Sequence, residues 1–295
     1  MQQWLRKVRV TFLGGGSGFQ VNPGELNDHE LKVAFNISKG ISGSSNTAEI
    51  KIWNLSENHR NSVGKELDDV MVEAGYIPPT GSGNVGIIFL GQIRDVEHTR
   101  EGPDIVTTLS CGEGDKAFRK ATISKTYPKG TPVKDVVEGI YEQFEKQGIK
   151  KGEWKFPENM EDFKRPYSMC GACSREMNTI GRGKGFYWSI QNGTMEVIPG
   201  DGHLPGVVLL SPTSGLIGTP TITDNGVKAQ ALLNPEIRPN RTVKIESEVL
   251  EMNGEDGIYR VSQIEYSGDN RGGSFQVDIH GEAVKGGKVD EGKKS

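Results

Sequence analysis

Apolar and polar residues alternate most regularly over residues 31–55, LKVAFNISKGISGSSNTAEIKIWNL. Leu31, Val33, Phe35 and Ile37 are separated by Lys32, Ala34 and Asn36, with Ser38 after them. A period of two predicts a strand with one face buried and one in water. The Gly- and Ser-rich stretch Lys39–Thr47 predicts a turn or a long loop. Ala48, Ile50 and Ile52 resume the alternation, Trp53 and Leu55 add apolar surface, and Ser56 is placed to cap a short helix over ENHRNSV. Two strands, a loop and a helix are the building block of a β-barrel, not a catalytic motif.

The flanking sequence continues the pattern. Val8, Val10 and Phe12 alternate with Lys7, Arg9 and Thr11 in a strand that ends at LGGGSG. Val70 and Val72 begin another, expected to stop at Gly75 and the Pro78–Pro79 pair. Ile87–Leu90 runs into GQIRDVEH as a long strand with a bulge expected at Gly91. After the turn REGPD, Ile105, Thr107, Leu109 and Cys111 share one face. Roughly five or six strands with one short helix are sufficient for a small barrel.

Past Gly114 the period lengthens. Val133, Val136, Val137, Ile140, Tyr141 and Phe144 recur at helical spacing. Thr131 is the expected cap, Pro132 sits in the first turn and Gly148 ends the helix. KKGEWKFPENMEDFKRP reads as a strand and loop, and a second helix is expected over Cys170–Ile180, terminated by GRGKG. FYWSIQNGTMEVIP reads as a hairpin turning at Asn192–Gly193. From Val207 the β pattern returns: VVLLSPTSGLIGTPTITDNGVKAQALLNP holds strands punctuated by Gly, Pro and Asn turns, VKIESEVL, GIYRVSQIEYSGD and SFQVDIHGEAV complete the set, and GGKVDEGKKS has no apolar period. The fold class expected is mainly β with an α+β insertion.

The two β regions echo each other. Val70-Met-Val-Glu73 matches Val243-Lys-Ile-Glu246 at an offset of 173, and Leu90-Gly-Gln-Ile93 matches Val261-Ser-Gln-Ile264 at 171. Ile105, Thr107 and Leu109 match Phe275, Val277 and Ile279 at 170. The pairs Gly112-Glu113 and Gly281-Glu282 lie 169 apart, a one-residue slip that would reverse every face. The alternation is therefore taken as the register and the Gly-Glu match as coincidence or a bulge.

Composition narrows the functional classes. The 295 residues suggest two or three domains. With 35 basic and 39 acidic side chains, the net charge of -4 gives no polycation for gripping nucleic acid. Forty glycines and 14 prolines suit turn-rich β structure. No apolar run approaches the ~18 residues of a membrane span, and MQQWLRKVRVTFL lacks the form of a signal peptide. Three cysteines, Cys111, Cys170 and Cys173, make no even disulfide framework and suit synthesis in a reducing compartment.

Several residues invite chemistry. Cys170-Gly-Ala-Cys173 has redox or zinc spacing, but it lacks a second CxxC, and His29, His59, His98, His203 and His280 are scattered. Both cysteines are read as small apolar residues near a helix start. LGGGSGF and GRGKG lack the spacing of a phosphate loop. Asp68-Asp69, Glu161-Asp162 and Glu255-Asp256 could supply a hydrolase only across a cleft of fixed width. Trp4, Trp53, Trp154 and Trp188 could line a carbohydrate groove. No catalytic, cofactor-binding or metal-binding residue is assigned. A carboxylate hydrolase, a CxxC oxidoreductase and a carbohydrate-binding β module remain the alternatives to a structural protein.

FNISKGISGSSNTAEIKIWNLSENHRN, IFLGQIRDVE, GTPVKDVVEGI and SGLIGTPTITDNGVKAQALLNPEIRPNRTVKIES together resemble the phage baseplate hub proteins of contractile tails. The resemblance spans most of residues 32–283. It implies two tail-tube-like β-barrels (residues 1–115 and 200–285) flanking a small α/β domain (116–199); the last ten residues, 286–295, are expected as a flexible tail from their lack of apolar period. It further implies a non-enzymatic homotrimer in the virion, made in the host cytoplasm. This trimer would join the hexameric tail tube or its initiator to the trimeric central spike, touch other baseplate wedge proteins, and let DNA pass. With only a short tail after the second barrel, wall-degrading activity is expected from another protein.

Overall fold

The computed structural model describes residues 5–24, 29–65, 67–77 and 83–283. Trp4, the Pro78–Pro79 stop and the tail at 286–295 lie outside the described residues.

The first β region contains β1 (Leu5–Gly14), β2 (Ser17–Val21), β3 (Val33–Gly40), β4 (Thr47–Trp53), helix α1 (Glu57–Ser62), β5 (Asp69–Ile77), β6 (Gly86–Glu101) and β7 (Asp104–Gly112). The alternations fall on the buried face as the sequence predicts: Val8, Val10, Phe12, Val33, Ile37, Ile50, Ile52, Val70 and Val72 are all fully buried. Ser56 caps α1 by accepting from the His59 amide. Four details differ. The glycines after β1 do not end the sheet but turn it, Gly15 and Gly16 both taking positive φ so that β2 folds back on β1. β3 runs on through Lys39, which shares the inward face of Val33, Phe35 and Ile37. β5 continues through Gly75, where a Cβ would lie 2.5 Å from the Asn84 carbonyl. The register of β6 shifts near Ile88 and at Arg94, not at Gly91.

The middle region comprises α2 (Asp115–Lys120), β8 (Thr122–Tyr127), α3 (Val133–Glu145), β9 (Lys150–Trp154), β10 (Tyr167–Ala172), α4 (Cys173–Lys184), β11 (Phe186–Gln191) and β12 (Thr194–Pro199). The whole predicted stripe of α3 is buried. Its Ncap is Pro132, while the Thr131 hydroxyl donates to the Pro128 carbonyl instead of capping. The second helix begins at Cys173 rather than Cys170, because residues 167–172 pair with β8 as a strand. The glycines of GRGKG lie within α4 up to Gly185, whose positive φ closes it. The hairpin forms as predicted, with Asn192 and Gly193 both at positive φ. This region has its own core, centred on Ile140, Phe144, Met177 and Trp188.

The last region contains β13 (Val207–Leu210), β14 (Leu216–Thr223), β15 (Gly226–Leu232), β16 (Thr242–Ile245), β17 (Ile258–Asp269) and β18 (Phe275–Ala283). It is not separate from the first. β17 pairs antiparallel with β3, from Gln263 opposite Gly40 to Asp269 opposite Ala34, so one sheet and one core run through both regions. Tyr76 reinforces the joint by donating to the Phe275 carbonyl at 2.8 Å.

Both regions trace the same strand path. The first is ordered β3-β4-β7-β6-β5-β1 and the second β14-β15-β18-β17-β16-β13, so strands of matching rank in the chain hold matching places in the sheet. β6 and β17, which hold Gln92-Ile93 and Gln263-Ile264, are therefore equivalent. Each carries one bulge against its partner, at Arg94 and at Ser262. Superposing the bulges puts Cys111 with Gly281, an offset of 170, which keeps the alternation and rejects the Gly-Glu match. The same superposition sets β5 on β16 at 173, as Val70 opposite Gly91 answers Val243 opposite Tyr259. It corrects the offset of β6 to β17 from 171 to 168.

Candidate functional site

The first and middle regions meet around one buried ionic cluster. Lys39 comes from β3, Asn46 from the loop before β4, Glu113 from the end of β7, and Asn192 from the tip of the β11–β12 hairpin. The Lys39 ammonium donates to the Asn192 side-chain oxygen at 2.7 Å, the Ile88 carbonyl at 3.3 Å and Glu113 at 3.4 Å. Glu113 also accepts from the Asn192 backbone amide and from the Asn46 side-chain amide. Asn46 donates in addition to the Ile190 carbonyl at 2.9 Å, and Gln191 to the Gly40 carbonyl at 2.8 Å.

Lys39 and Glu113 are 2% and 0% exposed in their side chains, so each charge depends on the other and on these dipoles. Burial pushes the Glu113 carboxyl up and the Lys39 ammonium down, and their mutual attraction opposes both shifts. A second clamp holds the hairpin from below: Glu196 on β12 accepts from Asn240 at 2.6 Å and from Arg241 at 2.6 and 2.7 Å. These polar ties fix the middle region on the sheet. They present no open face to a substrate.

The residues singled out for chemistry are kept apart. Cys170 is exposed on β10, whereas Cys173 is buried at the first residue of α4. Burial, with Glu176 adding to it, pushes the Cys173 thiol up to about 11, the reverse of what a redox nucleophile needs. Asp68 and Asp69 both pair with Lys116, at 2.9 and 3.4 Å. Glu161 pairs with Lys164 at 2.8 Å on the surface, and Glu255-Asp256 form a single 3-10 turn. Among the described residues no three His, Cys, Asp or Glu side chains gather to hold a metal.

LGGGSGF is the β1–β2 hairpin tip, and the shallow groove along it is lined by Thr11, Leu13, Phe19, Gln20 and glycines, with no acid or base. The three described tryptophans do not share a groove. Trp53 lies under Lys32 at 4.3 Å, Trp188 is buried against Asn178, and Trp154 donates to the Met195 carbonyl. No described helix is long and apolar enough to cross a membrane.

Reading residue by residue missed Lys39 and Glu113 as partners. One signal was available: Lys39 falls in step with Val33, Phe35 and Ile37, on the inward face of β3.

The chain is thus a continuous sheet built from two similar halves with an inserted α+β unit. The profile of the family described as "Baseplate hub gp41" matches residues 7–281, and the chain belongs to that family. Solved structures share the fold. A 43 kDa tail protein of prophage MuSo2 from Shewanella oneidensis is 11% identical with a TM-score of 0.58, over 94% of this chain and 98% of that one. A tail protein from Neisseria meningitidis is 12% identical with a TM-score of 0.61, over 95% and 96%. The Escherichia coli c3393 protein, a type VI secretion system component described as structurally similar to T4 tail proteins gp27 and gp5, is 10% identical with a TM-score of 0.60, over 88% and 76%. No curated protein matches the sequence.

Proposed function

We propose that this hub protein works as a non-enzymatic homotrimer. The trimer joins the sixfold tail tube, or its initiator, to the threefold central spike, contacts neighbouring wedge proteins, and leaves an axial channel for DNA. The observation that carries this reading is the repeated strand path within one hub-family chain. Three subunits with two equivalent halves each present six similar units around an axis, which reconciles a sixfold partner on one face with a threefold partner on the other. In this reading residues 1–115 and 200–285 form the two tube-like barrels, and residues 116–199 form the α/β unit.

A duplex carries about one negative charge per 1.7 Å, so a basic wall would hold it by counterion release and slow its passage. The net charge of -4 suits an acidic or neutral wall. Light scattering on the eluting peak of a sizing column tests the assembly. A mass three times that of the chain is expected, and a stable monomer at high micromolar concentration refutes the hub reading.

A further inference from the structure

The internal repeat has one unfilled position. On the side of β17 away from β18, the strand is shared between two neighbours: Ile258–Arg260 pair with β16 and Gln263–Asp269 pair with β3. Its equivalent β6 is shared in the same way only at its start. Gly86–Gln92 pair with β5, and among the described strands residues 95–101 pair with β7 alone. Asp95, Glu97, His98, Thr99, Arg100 and Glu101 are exposed along that edge. At the far end of the sheet β14, the equivalent of β3, pairs with β15 alone among the described strands. Each chain thus carries one edge of the type that accepts a first strand and one first strand without its acceptor.

We infer that β6 of one subunit pairs antiparallel with β14 of the next, repeating between chains the β17–β3 pairing within the chain. The inference rests on the trimeric hub reading and specifies its interface. A head-to-tail contact of this kind closes a ring when three copies turn about one axis, and strand addition satisfies the unpaired amides and carbonyls of both edges.

The register follows from the repeat. The bulges set Tyr266 on His98. Ile37 lies opposite Ala48 and through it Cys111; Ile222 lies opposite Val227 and through it Gly281. The pair Tyr266 opposite Ile37 therefore becomes His98 opposite Ile222 of the next subunit. Thr99 then faces Thr221 and Glu97 faces Thr223. Pro220, which has no amide hydrogen, limits the ladder on one side. Acidic and basic side chains along β6 discourage pairing with other strands, as on protected edges generally.

Cross-linking tests the register. Directly opposed residues of antiparallel strands have Cα atoms about 4.5–5.5 Å apart, within the range a disulfide spans. In a Cys170→Ser background, which removes the exposed native thiol, the two pairs His98→Cys with Ile222→Cys and Thr99→Cys with Thr221→Cys are oxidised. They are run on non-reducing denaturing gels beside a displaced pair, His98→Cys with Thr223→Cys. Light scattering before oxidation records the assembly state of every variant. Covalent dimers and trimers are expected from at least one in-register pair and not from the displaced pair, whose side chains point to opposite faces. A trimer that forms no cross-link at either in-register pair, or cross-links only at the displaced one, overturns the strand pairing and leaves the hub reading standing. A protein that stays monomeric overturns both.

Discussion

The two β regions share a strand path and differ most at its outer end. In the first, β1 lies antiparallel to β5 and continues into the β2 hairpin; in the second, β13 lies parallel to β16 and pairs with no other described strand. The centre of each half, where β6 meets β7 and β17 meets β18, keeps even its single bulge. Paired central strands are buried on the core side and held by neighbours on both edges, so a change there disturbs two ladders. An outer strand disturbs one, and the chain enters β13 from the middle region instead of from its own start. The halves therefore differ most where a difference breaks fewest contacts.

The halves also differ in how they hold the middle region, and this gives the largest effect expected. Glu113 follows β7 and is sealed with Lys39, whereas Glu282 on β18, one position away from the equivalent of Glu113, pairs with Arg260 while its own side chain is 44% exposed. Lys39→Ala leaves a buried carboxylate without its cation, and a loss of about 3–5 kcal/mol is expected in denaturant unfolding. Glu282→Ala should cost only about 1 kcal/mol or less, since Arg260 retains the Gly200 and Gly202 carbonyls at 2.8 and 2.9 Å. Equal losses at the two positions would remove the distinction between a sealed and an open tie.

A smaller effect distinguishes the filled edge from the unfilled one. Ile264 and Val96 are equivalent by the bulge superposition, yet Ile264 is 0% exposed beside β3 and Val96 is only half-buried beside its unfilled edge. Ile264→Ala should cost about 2–4 kcal/mol. Val96→Ala should cost under about 1 kcal/mol in dilute protein, rising when the subunits associate and cover it. A concentration-independent loss at Val96 would argue that this edge stays uncovered.

Much of this was legible in the sequence because a period of two or of 3.6 is a local property. Val33, Phe35 and Ile37 declare a half-buried strand, and the stripe from Val133 to Phe144 declares a helix, wherever their partners lie. Features decided by distant contacts were not legible. The β8–β10 pair has no local signal, because TISKTY and YSMCGA have little apolar period and are fixed by each other. The start of α4 moved to Cys173 for the same reason. Lys39 falls in the Gly- and Ser-rich stretch that reads as a turn or loop, because a lysine on the inward face is acceptable only when Glu113, 74 residues away, and Asn192, from another region, converge on it. The bulges at Arg94 and Ser262 leave no mark in composition, so the offset of 171 that the residues suggest differs from the structural 168 by three.

The last expectation concerns the cysteines and carries almost no stability cost. Cys111 belongs to the first β region, where its equivalent in the second is Gly281; Cys170 and Cys173 belong to the middle region. Burial pushes Cys111 up to about 12 and, with Glu176, Cys173 to about 11. Because the thiolate is the reacting form, a pKa of 11 leaves about one Cys173 in a thousand ionised at pH 8. Burial then withholds even that fraction. Iodoacetamide at pH 8 should therefore modify exposed Cys170 alone in the folded protein, and all three in denaturant, as read by intact mass. Raising the pH toward 9.5 should increase the thiolate fraction at Cys173 more than tenfold, yet labelling should stay slow while the helix start remains packed. Rapid modification of Cys173 at pH 7 would show a stabilised thiolate and would restore the dithiol reading of the CxxC motif over the structural one.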